Sequence, residues 1–296
     1  MGIALALAAM VGFATNILLT RYAVARMPIE AGFFVVLATN IVFPAALFGI
    51  ELAVRTAPFA WDWKGVGLFA IGGVVGTFLG RRLLFDTVRL LGPSRASVFH
   101  SSAPAFALLG AWLLADERLG AYELALVALV WIGLWFTQPR GSTGARGLAP
   151  DVLRKGMIAG VLTVAGFGFG NVLRGLAMRE WSEALLGTLL STVAAVACQI
   201  AATRDWKKIG AQLRAADRSA IGLYVGCGIA TSLGSIFVSL AMVHMEIALA
   251  VLVVHTTPLV IFPVSVLLLG SREELVPRTI FGAALVLAGI ALLAIR

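Results

Sequence analysis

Gly72-Gly73-Val74-Val75-Gly76-Thr77-Phe78-Leu79-Gly80 returns 154 residues later as Gly226-Cys227-Gly228-Ile229-Ala230-Thr231-Ser232-Leu233-Gly234. Gly72, Thr77 and Gly80 fall on Gly226, Thr231 and Gly234. The same shift lays Pro104 on Pro258 and Gly12-Phe13 on Gly166-Phe167. One further residue sets Asn16 on Asn171, and a shift of 156 sets Glu117 on Glu273 and Gly133 on Gly289. The coincidences fall mostly on Gly and Pro, the two residue types with direct backbone consequences. Gly72, Gly76 and Gly80 stand four apart, as do Gly222, Gly226, Ala230 and Gly234, so each copy presents a flat helix face on which a second helix can lie closely.

Both stretches are embedded in apolar sequence. Of 296 residues, 60% are hydrophobic and only 13% charged, with a mean hydropathy of +0.98. A soluble domain is about 45–50% apolar and about 25% charged, and its exterior has to remain polar. This balance excludes a soluble enzyme, a secreted disulfide scaffold and a disordered chain. Crossing a bilayer takes about 20 mostly apolar residues. Such runs occur at roughly 2–21, 31–54, 65–88, 94–115, 121–138, 156–178, 184–203, 219–242, 247–270 and 277–295. The predicted fold is therefore an all-α integral membrane protein with ten transmembrane helices. It comprises a first repeat over 1–140, a linker over 141–155 and a second repeat over 156–296. Five spans per repeat is an odd number, so the second copy enters the membrane from the opposite side, giving an inverted repeat.

The net charge of +8 belongs to basic loops rather than to nucleic acid binding. Cys198 and Cys227 lie inside apolar runs and read as small hydrophobes. The first run follows Met1 with no basic segment before it and has a counterpart at Gly166-Phe167, so it reads as a retained span rather than a cleaved signal. The connection at 204–218, with Trp206, Lys207, Lys208, Arg214 and Arg218, is expected along the membrane surface.

Pro104 and Pro258 stand inside the fourth and ninth runs, where a proline opens a carbonyl one turn earlier. Polar residues precede each: His100-Ser101-Ser102-Ala103-Pro104 and His255-Thr256-Thr257-Pro258. Two readings fit the hydroxyls, repair of the broken helix and lining of a midplane site.

The stretch from Gly92-Pro93-Ser94-Arg95-Ala96-Ser97 through Ala103-Pro104-Ala105-Phe106 to Leu114-Ala115-Asp116-Glu117-Arg118-Leu119 resembles the fourth span of the drug/metabolite transporter superfamily, EamA-type branch. Asp116 replaces the glycine usual at that corner, and the second corner, Gly270-Ser271-Arg272-Glu273, departs by two residues. The resemblance implies two five-span repeats and a central cavity ringed by the first, third, fourth, sixth, eighth and ninth spans.

Charged groups inside spans mark functional candidates. The third run carries Arg81, Arg82 and Asp86, whose second-half counterparts begin at Ser235 and Ile236. Arg82 and Asp86 are four apart and within pairing reach; Arg81 points about 100° away. The alternative is that the run ends near residue 80 and both arginines snorkel to the headgroups. The substrate-binding candidates are Asn16, Arg81, Arg82, His100, Ser101, Asn171, Arg174, Ser235, His255 and Thr256. Helix glue is the competing role for the two asparagines, and snorkelling for Arg174. Asp86, His100, His255 and Glu246 are the candidates for a coupling proton. Asn40, Gln199, Glu117 and Glu273 read as packing or capping groups. The first run has no acidic residue, whereas a carrier of lipophilic cations needs a membrane carboxylate. Positive span interiors favour an anionic solute, such as an amino acid, organic acid or phosphorylated metabolite, gripped through paired guanidinium donors.

The function expected is a secondary transporter in the cytoplasmic (inner) membrane, working by alternating access, outward, as a monomer or homodimer. Its partners are a small-molecule substrate and membrane lipid; no cofactor, metal or catalytic residue is expected. The alternative is an integral membrane enzyme acting on a lipid-linked substrate. Against it, adjacent His100 and Ser101 point about 100° apart on a helix and form no nucleophile–base pair unaided. The odd-numbered connections collect most of the basic residues, including Arg21, Arg26, Arg140, Arg146, Arg154, Lys155 and the 204–218 group, against Arg55, Lys64, Arg118 and Arg179 in the even ones. That bias puts both termini outside; the resemblance implies both inside.

Overall fold

In hydrocarbon every backbone N–H and C=O has to find its partner within the protein, and a helix supplies that partner locally. The computed structural model describes residues 1–56, 59–91, 96, 99, 102–137, 149–257, 259–261, 264 and 277–294. Among them there is no strand. The helices are α1 (Gly2–Val24), α2 (Ile29–Val54), α3 (Trp63–Gly72) continuing through a π-helical stretch (Gly73–Leu79) into α4 (Gly80–Leu91), α5 (Ala103–Ala115), α6 (Ala121–Thr137), α7 (Pro150–Glu180), α8 (Ala184–Ala202), α9 (Trp206–Ala215), α10 (Arg218–His244), α11 (Ile247–Val254) and α12 (Pro277–Ala294). Among the described residues, six stretches are long and apolar enough to cross a membrane: α1, α2, Trp63–Leu91, α7, α8 and α10. Shorter apolar helices lie at α5, α6, α11 and α12.

Many of the threonine hydroxyls inside these helices are satisfied by their own backbone. Thr15, Thr20, Thr39, Thr87, Thr163, Thr192 and Thr231 each donate to the carbonyl four residues earlier. Three helices open on an aspartate cap: Asp62 accepts from Gly65 N (2.7 Å), Asp205 from Lys208 N (3.2 Å) and Asp217 from Ala220 N.

The chain forms two compact units, each drawing helices from both halves of the sequence. The first comprises Met1–Val74 and Leu173–His244. Here α1 and α10 run antiparallel. Gly12 lies on Ala230 and Gly234, the thiol of Cys227 reaches Asn16 O (3.8 Å), and Leu19 covers Gly226. α2 runs parallel to α10, from Met27 O, which accepts from Tyr224 Oη (3.0 Å), to Asn40, whose amide nitrogen faces Gly228 O (2.7 Å) and Ser232 Oγ (3.1 Å). Asn40 is thus interhelical glue. Such bonds contribute on average about 0.6 kcal/mol in membranes, so Asn40→Ala is expected to lower stability by about 0.5–1.5 kcal/mol in detergent melts. α3 runs parallel to α8: Phe69 covers Gly187, and its carbonyl accepts from Ser191 Oγ (2.7 Å).

At the far end of this unit, Arg55 forks onto both oxygens of Glu183 (3.0 and 2.6 Å), and Lys64 meets Glu180 (2.6 Å). The hydrogen bond to Glu183 pushes the Arg55 pKa further up. Trp181 Nε1 donates to Ala60 O (2.9 Å) within a ring cluster of Phe59, Trp61 and Phe69.

The second unit comprises Val75–Val172 and Met245–Arg296. α4 and the first part of α7 run antiparallel: Gly76 lies on Gly170, Gly80 on Gly166 and Phe167, Thr87 on Thr163 (3.3 Å between hydroxyls) and Leu91 on Gly156. Under the 154-residue shift, Gly166·Gly80 is the counterpart of Gly12·Gly234, so one close helix crossing is built twice from repeated glycines. α5 runs parallel to α7, with Ala107 at Gly168 and Gly110 at Phe169 and Val172. α6 and α12 run antiparallel, from Tyr122 Oη on Leu292 O (3.2 Å) to Arg278 over the Trp135 ring (5.0 Å). Gly133 and Gly289 lie in that crossing, against Val286 and Val130. Glu117, buried at the α5–α6 corner, accepts from Ile247 N (2.8 Å) and Ala248 N (3.2 Å) and so caps the start of α11. α11 packs along α5.

Several local features differ from the sequence expectation. Pro104 is not interior to a helix. α5 starts at Ala103 with Ser102 as its N-cap, and the proline occupies the first turn, where its missing N–H has no helical partner to lose. α11 stops at Val254 and a turn follows at His255–Thr257; Pro258 lies outside the described residues. α7 begins at Pro150, so the end of the expected linker is helical. Pro44 is buried inside α2, which continues through it.

Candidate substrate site

Depth separates the charged groups of the third span. The helical stretch from Trp63 to Leu91 has 29 residues, which at 1.5 Å per residue is about 43 Å, longer than the roughly 30 Å hydrocarbon core. Trp63, highly exposed, marks one interface. Measured from Trp63, Arg81 and Arg82 lie about 27 and 28 Å along, near the far edge of a core of that thickness, while Asp86 and Arg89 lie about 35 Å and beyond, past it. Exposure agrees: Arg82, Phe85, Asp86 and Arg89 share one outward face of α4, whereas Gly80, Thr87 and Leu91 are buried towards α7 and Arg81 is half-buried at the side. Arg82 and Asp86 are both exposed, and among the described residues no ion pair joins them.

Within the second unit Arg81 has one companion from the sequence candidates. α4 and α7 touch through Gly76, Gly80, Gly166 and Gly170. On antiparallel helices, the residue one step beyond the contact projects to the same side of the pair, because the two helices advance by about 100° per residue in opposite senses as seen down the bundle. Arg81 follows Gly80 and Asn171 follows Gly170. Gly170 lies on Gly76, so Asn171 is level with Val75, six residues before Arg81, and the two are offset by about 9 Å along the axis. Asn171 is half-buried and makes no side-chain hydrogen bond among the described residues. This pairing could have been read from sequence, since Arg81 directly follows the Gly76/Gly80 pair and Asn171 the Gly166/Gly170 pair, each spaced by four, but only once the helix partner was known.

The same unit holds His255, Thr256 and Glu246. Thr256 is fully buried and donates to Val253 O (2.6 Å), and Thr257 does the same to Val254 O (2.6 Å). These hydroxyls repair the helix end. His255 is half-buried in the turn itself. Glu246 is the N-cap residue of α11, at a connection rather than mid-span. His100 and Ser101 lie outside the described residues.

The first unit holds Asn16, Arg174 and Ser235. Asn16 is half-buried, with no side-chain hydrogen bond among the described residues. It sits level with Cys227, about 12 Å along α10 from Ser235, so the unit does not bring those two together. Arg174 is half-buried one turn before Ala177 and Met178, whose apolar cluster includes Ile236, the neighbour of Ser235.

A family model described as the EamA-like transporter family matches residues 1–138 and, a second time, 154–295. The chain belongs to the EamA-like transporter family. The two matches make the EamA architecture a two-repeat one in this chain, and place the protein in a family of multi-pass membrane transporters. One solved structure, described only as the crystal structure of a protein, aligns with this EamA-like chain at a TM-score of 0.76 and 18% identity. The alignment covers 99% of this chain and 96% of the other. At that identity the likeness concerns the fold alone. No curated protein matches the sequence.

Proposed function

We propose that this EamA-like protein is a secondary transporter in the cytoplasmic membrane that carries a small anionic metabolite, such as an amino acid or organic acid, outward by alternating access. In this reading ten spans form two five-span repeats, 1–140 and 156–296, of opposed orientation. The helix directions support it. α10, the counterpart of the third span, runs parallel to α2, whereas the third span itself turns back from α2 through a short connection. Repeats of opposed orientation exchange conformations and so open a site first to one side and then to the other.

The observation that carries the substrate class is Arg81. A guanidinium at hydrocarbon depth is costly, and the second repeat has Ser235 in its place. It supplies paired donors for a carboxylate or phosphate, while Asn171, offset by about 9 Å along the same side of the helix pair, takes a second polar group of the solute. Within the same unit His255 is the candidate for a coupling proton, beside Asp86 and Glu246.

Arg81→Gln should weaken uptake of an anionic substrate into proteoliposomes by at least tenfold, because a hydrogen bond to a charged group is worth about 1.5–3 kcal/mol. Arg82→Gln, on the outward face, should leave it within about twofold. Equal uptake by wild type and Arg81→Gln across a panel of amino and organic acids would remove the anion reading.

A further inference from the structure

One end of the first unit is built from the last turn of α1, the start of α2, α9 and the start of α10. Contacts tie these pieces together: Arg26 to Ser219, Lys208 to Glu30 (2.9 Å), Tyr224 Oη to Met27 O (3.0 Å) and the Trp206 ring to Phe34 (5.2 Å). The acidic groups here are already engaged. Asp205 and Asp217 cap α9 and α10, and Glu30 holds Lys208. Arg21, Arg204, Lys207, Arg214 and Arg218 are all exposed and make no ion pair among the described residues. The opposite end contrasts with this, since Arg55 and Lys64 are each matched by a glutamate.

α9 has the form of a membrane-surface helix, but its apolar side is occupied by protein. Ile209 is buried, and Leu213 and Ala216 pack on the cluster of Met27, Ala31 and Tyr224. Lys207, Ala211 and Arg214 fall within about 60° of one another on the other side. Insertion of a greasy face into lipid is therefore not how this helix meets the bilayer. Charge remains, with the half-exposed Trp206 as an interfacial ring beside it.

We infer that this end of the first unit is a docking surface for anionic phospholipid headgroups, held by Lys207, Arg214, Arg218, Arg204 and Arg21. The occupant is the headgroup phosphate of the surrounding leaflet, and the attraction is electrostatic, so it is screened by salt. Each basic residue near an anionic surface is worth about a fivefold change in lipid preference.

The test uses the full-length protein in nanodiscs of phosphatidylcholine mixed with phosphatidylglycerol, with lipid retained after mild detergent extraction counted by mass spectrometry. The wild type is expected to retain phosphatidylglycerol in excess, to lose that excess at 0.5 M salt, and to lose at least fivefold of it in a Lys207→Gln/Arg214→Gln variant. Lys64→Gln, at the opposite end, is the control for general charge loss and should leave the excess unchanged. Retention equal for the two lipids, an excess untouched by the double variant, or an equal loss in Lys64→Gln would overturn the inference. So would displacement of the lipid by millimolar glycerol phosphate, which would make the surface a site for a soluble phosphate ester. A thermal melt of each variant in the same nanodisc confirms that the comparison is between folded proteins. None of these readouts depends on transport.

Discussion

Gly73→Ala is expected to destabilise the protein by about 3 kcal/mol, while Gly67→Ala six residues earlier in the same helix leaves it unchanged or stabilises it by about 0.5–1 kcal/mol. A Cβ on Gly73 would overlap the carbonyl of Ser191, a backbone group that cannot swing aside. At Gly67 the same methyl meets nothing. In water or lipid alone both substitutions favour the helix, because alanine gives up less backbone freedom than glycine. The difference between the two variants therefore isolates the approach of α8. The extra residue of the π stretch begins at Gly73, and Ser191 Oγ donates to the carbonyl of Phe69 one turn earlier. Such bulges form where an outside group enters the ladder of backbone bonds, and the Ser191 pair enters it here. Pushing α8 away should also loosen the aromatic packing of Phe69 on Gly187 and Trp181. Thermal melts in detergent, followed by tryptophan emission, measure both effects. Equal melting temperatures for the two alanine variants would mean that the contact with Ser191 does not hold the helices at this distance.

The same site shows what the sequence carries and what it withholds. Gly72, Gly76 and Gly80 announce a close helix face by their spacing, and their recurrence at Gly226, Ala230 and Gly234 announces it twice. The partner is a different matter. A flat face fits any other flat face, and only the folded chain pairs Gly234 with Gly12 and Gly80 with Gly166. The division into units follows from those partners, and so it cuts across the sequence halves. Pro104 misleads for a related reason. A proline in an apolar run has the same appearance whether it kinks a helix or starts one, and Ser102 as N-cap is a signal only once the break before it is known. Of the site, the charges were legible because they are expensive in hydrocarbon. Their depth was not, because the third span extends to Leu91, well past the length a bilayer needs. That extra length separates Arg81 from Asp86 and Arg89, while the helix face separates half-buried Arg81 from exposed Arg82. The hydroxyls of Thr256 and Thr257 had two readings in sequence, and the described contacts with Val253 and Val254 favour repair. Asn40 and Asn171 are both amides in apolar runs, and composition gives no means of telling glue from an uncommitted group; only their neighbours do.

Glu117→Ala is expected to have an effect at least as large, about 3–5 kcal/mol, and a local one. The first amides of a helix have no partner within it. At α11 these are Ile247 and Ala248, both fully or almost fully buried, so water does not replace a lost acceptor. Glu117 reaches them from the α5–α6 corner with both carboxylate oxygens, at 2.8 and 3.2 Å. Each buried amide left open costs about 1–3 kcal/mol, and the negative charge at the positive end of α11 adds a further favourable contribution. Glu117→Gln keeps one acceptor and the shape but not the charge, so its loss should be smaller, about 1–2 kcal/mol. The corner itself is held by Asp116, whose positive φ of 50° turns the chain so that the next side chain points at α11. Asp116→Gly, free of that strain, should therefore be neutral or slightly stabilising. Hydrogen exchange reads the mechanism directly. Amides at the start of α11 should exchange faster in Glu117→Ala, while those of α1 in the other unit stay protected. Because α11 ends in the turn that carries His255, loosening its start should also weaken transport more than the loss of stability alone predicts. Uniform loss of protection along the whole chain, with no excess at Ile247 and Ala248, would show that Glu117 acts through general folding and not as the cap of this helix.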